Sequence, residues 1–289
     1  MAPSAQSVSA ANSGTITLGG ELTVNRMGFG AMRITGEGIW GPPKDHKQAL
    51  AVLRRAIELE VNFIDTADSY GPGTSEELIA EALHPYPDDL VIATKGGWVR
   101  PGPGHWSHNA SPAHLRKAVE DSLKRLRLDR IEVYQLHAPD PAIPFKDSVE
   151  TLAQLREEGK IRWVALSNVT REHIERARKM VPIVSVQNRY SLGDREWENV
   201  LEYCEANDLA FIPWFPLGAG RIAHAALSRV AGAHQASVMQ VALAWLLQRS
   251  PAMLPIPGTS SVAHLEENIA ASSLKLTKEE FEELSNAAN

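Results

Sequence analysis

The chain has a single cysteine, Cys204, among its 289 residues. No disulfide can therefore form within it, and thiolate-clustered zinc or iron–sulfur sites are excluded. Long apolar runs are also missing, since none reaches the roughly 18 consecutive residues that a helical membrane span needs. There is no excess of basic charge. Lys and Arg number 29 against 35 Asp and Glu, a net of −6, so nothing electrostatic points to nucleic acid or an anionic membrane as partner. No heptad seam singles out an interface, and the oligomeric state stays open. Residues 1–14, rich in Ser and Ala, have neither the basic nor the apolar region of a secretion signal. They read as a flexible leader ahead of one domain, 15–289, with the cytoplasm as the expected location.

What is present is an alternation. Short apolar runs at Met27–Gly30, Asn62–Thr66, Val91–Lys95, Ile131–His137, Val164–Ser167, Val184–Gln187, Ala210–Trp214 and Leu254–Pro257 read as eight strands. Segments of helical period lie between most of them. Leu50, Leu53 and Ile57 share a face, as do Leu115, Val119, Leu123 and Leu126 after the cap-and-proline start Ser111-Pro112. Ahead of the first strand, Gly19-Gly20 between Thr15–Leu18 and Glu21–Val24 predicts a hairpin. After the last, Thr277-Lys278-Glu279-Glu280 reads as the capping box of an extra helix. Strict alternation implies parallel strands with right-handed crossovers. The predicted fold class is α/β: a (β/α)8 TIM barrel with an N-terminal β-hairpin and a C-terminal helix, a size that suits one barrel of roughly 250 residues. A Rossmann domain is disfavoured, because Gly28-Phe29-Gly30-Ala31-Met32-Arg33 lacks the third glycine of the dinucleotide fingerprint.

Barrel chemistry sits at the carboxyl ends of the strands. Those ends read Asp65, Lys95, His137, Ser167-Asn168, Gln187, Trp214 and Pro257-Gly258. Each has a plain structural reading: Asp65 as an ion-pair partner of Lys95, His137 as a satisfied core histidine, Ser167-Asn168 as a helix cap, Tyr70 as a surface-loop aromatic. Lys95 alone suits a Schiff base, although an adjacent carboxylate opposes the lowered amine pKa that this chemistry needs. Their convergence favours carbonyl reduction. Tyr70 is an acid of reference pKa about 10, and a Lys95 ammonium beside it is expected to lower that value. Asp65 holds Lys95 charged, and His137 donates to the carbonyl while a cofactor delivers hydride. This chemistry requires no metal, and none is expected.

Gly-rich Met27–Arg33, then Val61 through Gly71 (VNFIDTADSYG), Ala93-Thr94-Lys95 and Tyr134-Gln135-Leu136-His137 together resemble the aldo-keto reductases over residues 15 to about 285. The resemblance implies a catalytic tetrad of Asp65, Tyr70, Lys95 and His137. It implies a nicotinamide site at Gly30, Met32, Ser167, Asn168 and Gln187, with Trp214 stacking on the ring. The segment Phe215-Pro216-Leu217-Gly218, continuing to Gly220, resembles the pyrophosphate loop. Pro257, Gly258, Thr259, Ser260, His264, Glu267 and Asn268 fall on the adenosine phosphate segment. Gly41-Pro42-Pro43, the run Leu243–Pro251 and Pro257–Leu265 are most similar to the bacterial pyridoxal reductase-like branch.

Two departures carry consequences. Members that prefer NADPH present Lys or Arg to the 2′-phosphate where this chain has Gly258 and His264. NADP(H) is the expected cofactor, and use of NAD(H) as well is open. The chain also ends soon after its last helix, without a long C-terminal substrate loop. Selectivity is thus expected from other loops, with Trp40, Trp98 and Trp106 as a candidate aromatic wall for a planar aldehyde. A metal at His105 and His108 would lack a third ligand. The expected activity is reduction of aldehydes or ketones, pyridoxal-like aromatic aldehydes first. The alternative is a nicotinamide-nucleotide sensor with vestigial turnover.

Overall fold

The computed structural model describes residues 8–218 and 225–287. Its first element after a short 3-10 turn is the expected hairpin, β1 (Thr15–Leu18) and β2 (Leu22–Asn25), paired antiparallel. Next come β3 (Phe29–Gly30), α1 (His46–Glu58), β4 (Phe63–Asp65), α2 (Thr74–Leu83) and β5 (Val91–Gly96). A second hairpin follows, β6 (Trp98–Gly102) and β7 (His105–His108), and then α3 (Pro112–Leu126), β8 (Ile131–Leu136), α4 (Phe145–Glu157), β9 (Ile161–Ser167) and α5 (Arg171–Arg178). The chain continues through β10 (Ile183–Arg189), α6 (Glu198–Glu205), β11 (Ala210–Trp214), α7 (Ala225–Ala233), α8 (Val238–Arg249), α9 (Val262–Ala270) and α10 (Lys278–Ala287).

Seven strands form one parallel sheet in the order β11-β10-β9-β8-β5-β4-β3. Strands with helices on one face and barrel interior on the other are buried on both, which is why β5 reads as an unbroken buried run, Val-Ile-Ala-Thr-Lys-Gly. The predicted eighth strand is corrected: Leu254–Pro257 forms no regular strand. Pro255 and Pro257 have no N–H to offer a ladder. The segment still closes the ring. Leu254 N donates to Phe211 O at 2.9 Å on one side, and Gly28 N donates to Pro255 O at 3.0 Å on the other.

Two apolar clusters hold the barrel. The larger lies between sheet and helices. The smaller fills the interior with Phe63, Val91, Ala93, Val133, Ala165, Val184, Ala210, Ile212, Leu254 and Ile256. Leu18 and Val24 from the β1–β2 hairpin join it and stopper its amino end. Gly19 lies so close to the Trp163 indole that an added Cβ would fall 2.6 Å from it, and its φ of +60° also favours glycine. With the lower interior apolar, polar chains are left for the carboxyl end.

The leader is also corrected in part. Ala10–Ser13 form a 3-10 turn capped by Ser9, with Ala10 and Ser13 buried, and Ala10 N donates to Leu59 O. Residues 1–7 lie outside the described residues. The caps read from sequence are present: Ser111 Oγ accepts from His114 N ahead of Pro112, and Thr277 and Glu280 exchange both capping-box hydrogen bonds. No single described helix is long and apolar enough to cross a membrane. The bent pair α7–α8 meets such a test only jointly, and Val241 to Leu246 of α8 are buried in the barrel wall.

Candidate active site

Period-two alternation carries the interior face of each strand upward from apolar to polar. Phe63 gives way to Asp65, Ala93 to Lys95, and Val133 to Gln135 and then His137. Lys95 is fully buried, Asp65 is 2% exposed, and Tyr70 and His137 are 7% and 8% exposed. Lys95 Nζ donates to Asp65 Oδ1 at 2.6 Å, to Thr66 O at 2.9 Å and to Tyr70 Oη at 3.3 Å. The ammonium thus has three acceptors for its three protons. Asp65 Oδ2 accepts from Gln135 Nε2 at 2.8 Å and Gln187 Nε2 at 2.7 Å, so both oxygens of this buried carboxylate are satisfied. The Tyr70 and His137 rings meet edge-on at 5.9 Å. The structure therefore brings the four tetrad candidates together.

The electrostatics differ from expectation at Tyr70. Burial pushes the phenol pKa up and outweighs the downward pull of Lys95, so the net shift is above the usual value. Tyr70 is a held proton donor, not a ready phenolate. Burial by itself would lower Lys95, but Asp65 and Tyr70 more than compensate and hold it above the ordinary lysine range. A nucleophilic neutral amine, as a Schiff base requires, is thereby disfavoured. Burial and then Lys95 drive His137 well below the usual imidazole value, leaving it neutral near pH 7. Its Nδ1 lies 3.5 Å from Ser69 Oγ. If Ser69 donates there, the ring proton resides on Nε2 and is free for an incoming carbonyl.

Beside the tetrad, Asn168 joins a second cluster. Its φ of +57° turns the chain sharply after β9. Its Nδ2 donates to His137 O at 2.9 Å and Ser167 Oγ at 3.1 Å, and its Oδ1 accepts from Trp214 Nε1 at 3.0 Å. Ser167 Oγ in turn donates to Gln187 O at 2.9 Å. The Gln187 amide, by contrast, is engaged with Asp65.

Phe215 is exposed and follows Trp214 with φ +52°, and Gly218 N closes a turn onto Phe215 O. Pro216 is buried and Leu217 half-buried within that turn, whereas Gly220 lies outside the described residues. On the opposite side, Gly30 and Gly258 touch backbone to backbone. A Cβ at Gly30 would fall 2.6 Å from Ile256 O, and one at Gly258 would fall 2.5 Å from Gly30 O. Only glycine fits both positions. They border a cavity of about 410 Å³ lined by Met32, Arg33, Thr35 to Ile39, Gly258, Thr259 and Ser260. Pro257 is buried below it. Ser261 caps α9 by accepting from His264 N, and His264 is exposed on that first turn. Glu267 is half-buried and its carbonyl accepts from Gln240, while Asn268 is buried.

Trp98 and Trp106, expected on a loop, lie on the β6–β7 hairpin, which corrects that expectation. Trp98 stands 6.3 Å from the His137 ring, Trp106 packs edge-on to Trp98 at 6.1 Å, and His108 lies 3.9 Å from Trp98. Trp40 is bridged to Gly71, one residue past Tyr70. His105 Nδ1 contacts Pro103 O at 3.0 Å. Three residues had no assigned role in the sequence. Gln135, two before His137 and therefore on the same strand face, was legible by parity. Arg33 and Arg100 were not, since nothing local shows what they reach.

The profile of the family described as Aldo/keto reductase family matches residues 26–289. An uncharacterized oxidoreductase of Schizosaccharomyces pombe is 51% identical over 279 residues, covering 96% of this chain and 90% of that protein. Pyridoxine 4-dehydrogenase of Escherichia coli is 46% identical over 275 residues, covering 93% and 96%. Among solved structures, an aldo/keto reductase from Klebsiella pneumoniae in complex with NADP and acetate superposes with a TM-score of 0.80 at 30% identity, covering 94% of each chain. A barrel with its polar groups gathered at one end, read beside these likenesses, places the chain among the oxidoreductases, as a member of the aldo/keto reductase family.

Proposed function

We propose that the protein reduces aldehydes and ketones with NADPH, and that planar aromatic aldehydes of the pyridoxal type are its first candidates. The observation that carries the reading is the Tyr70–Lys95–Asp65 chain, with contacts of 3.3 and 2.6 Å at the carboxyl end of the barrel. When bound, the nicotinamide supplies hydride to the carbonyl carbon. The residues do the rest. Tyr70 gives its proton to the carbonyl oxygen, and the phenolate left behind is stabilised by the Lys95 ammonium until solvent reprotonates it. Asp65 keeps that ammonium charged. Neutral His137 donates to the same oxygen and orients it.

For the cofactor, Asn168 Oδ1 and Ser167 Oγ, whose neighbouring protons are already committed, keep acceptor capacity beside Trp214, suited to a carboxamide N–H and a flat ring. The Gly30–Gly258 contact leaves room for phosphates against main chain, and exposed Arg33 on the same cavity supplies a cation that positions 258 and 264 do not. This supports NADPH over NADH. The Escherichia coli relative supports a pyridoxal-type substrate.

The test is turnover of an aldehyde panel, pyridoxal included, with NADPH and with NADH. Reduction by NADPH with pyridoxal among the better substrates supports the reading. Cofactor binding without turnover on any aldehyde favours a sensor instead, and sinks it.

A further inference from the structure

Arg100, on β6, is only 8% exposed. All its hydrogen bonds among the described residues end on main-chain carbonyls, not on a carboxylate. Nε donates to His105 O at 3.0 Å, Nη1 to Ile39 O at 2.8 Å and to Ser69 O at 3.4 Å, and Nη2 to Gly38 O at 3.0 Å. Its guanidinium also lies 3.8 Å from the Trp106 ring centroid and 5.5 Å from that of Trp40. One side chain thus joins three segments that are distant in sequence. These are the β6–β7 hairpin, the loop after β3, and the peptide unit that enters Tyr70, whose carbonyl belongs to Ser69.

Period two places Trp98 on the same side of β6 as Arg100, and Trp98 reaches the His137 ring. The aromatic groups then run in sequence from His137 through Trp98 and Trp106 to Arg100 and Trp40. A buried cation satisfied only by carbonyls and indole faces is costly unless all of these partners stay in place. Lysine could not substitute, because a point ammonium lacks the planar fork that reaches carbonyls in three directions.

Building on the reductase reading, we propose that Arg100 is the positioning residue of the substrate pocket. It locks Trp40, Trp98 and Trp106 into one aromatic wall facing the tetrad, and so sets a preference for planar aromatic aldehydes over small aliphatic ones. A small aldehyde needs only the tetrad, whereas an aromatic one also needs the wall held at a fixed distance.

The experiment compares the unsubstituted protein with Arg100→Lys and Arg100→Met, using 4-nitrobenzaldehyde and propanal as probes with NADPH. Amide hydrogen exchange over residues 36–41 and 98–108 is measured alongside. Both variants are expected to lose about tenfold or more in kcat/KM for 4-nitrobenzaldehyde, chiefly through KM, because a 1 Å misplacement is enough for such a loss. NADPH is held saturating, because Gly38 and Ile39 also line the cavity proposed for its phosphates; under that condition propanal should stay within about threefold, since it needs the tetrad and not the wall. Exchange should accelerate in the two segments and not elsewhere. Equal losses on both aldehydes, unchanged discrimination, or unchanged exchange overturns the proposal. Failure of the reductase reading looks different: the unsubstituted protein then turns over neither probe, and the selectivity proposal falls with it.

Discussion

Replacing Tyr70 by Phe removes one oxygen from a site that is otherwise left whole. The phenol is the longest of the three Lys95 contacts, at 3.3 Å, and Nζ keeps Asp65 Oδ1 at 2.6 Å and Thr66 O at 2.9 Å. The ring still meets His137 edge-on. The variant gives up one net hydrogen bond, about 1 kcal/mol, and in a chain this long that shifts Tm by only about 2–4 °C. Its effect on rate is of another order. Loss of a positioned proton donor costs about 10²–10⁴ in rate, or about 3–5 kcal/mol of barrier. Nothing in the Asn168–Ser167–Trp214 cluster bonds to the phenol, so NADPH should bind to the variant with near-normal affinity. The assay pairs aldehyde-dependent NADPH oxidation with cofactor titration by tryptophan fluorescence. A variant retaining more than about a tenth of the rate, below the usual range for an essential acid, would refute the role given to Tyr70. So would parallel loss of cofactor binding.

Other outcomes follow from the same geometry. Lys95→Met leaves Asp65 Oδ1 without its donor in a 2% exposed site, and breaking a buried pair costs about 3–5 kcal/mol; Gln135 and Gln187 still serve Oδ2, so denaturant unfolding should show a loss near the lower figure. With Tyr70 as the proposed acid, reduction needs it protonated, and burial raises its pKa above the usual value of about 10. The rate of reduction should then be level through neutrality and decline only in strong alkali, while the reverse oxidation, which needs the phenolate, should climb there; a reduction limb centred near neutrality would contradict this. His137 titrates well below the usual imidazole value, so between its folded pKa and about 6.5 the unfolded chain binds more protons. Its contribution to stability is complete above that window and is lost as pH falls through it, by at most about 1.4 kcal/mol per pH unit. A His137→Phe variant should show a shallower acid slope in unfolding experiments, although His114 and His173, also lowered by burial, keep part of it.

The tetrad was legible because parity along a parallel strand is rigid. Once Asp65, Lys95 and His137 are assigned to strand ends, the side facing the interior is decided by the period of two. Where parity breaks, the facing of a residue cannot be counted from its neighbours. The register of β10 against β9 shifts between Ile183 and Val186, so Val184 and Gln187, three apart, both face the interior. Helix α2 escaped notice because its N-cap is Gly73, at φ +80° and with no side chain to signal a start. The β6–β7 hairpin contains two prolines and two glycines, a composition read as loop, and its hold on the barrel comes from Arg100 bonds to residues 31 to 62 positions away. Long-range contacts of that kind leave no local periodicity to find.

The plug formed by Leu18 and Val24 makes the barrel a blind well. On the proposed mechanism, aldehyde, alcohol and water all share the carboxyl end, where Trp98 stands beside His137, and a proton taken from Tyr70 has to be replenished from the same side. A product that lingers there delays recharging of the acid as well as entry of the next substrate. Solvent deuterium sensitivity of the overall rate should therefore fall as the residence time of the alcohol grows, because slow departure masks the proton step, making the stopper at one end a determinant of tempo at the other.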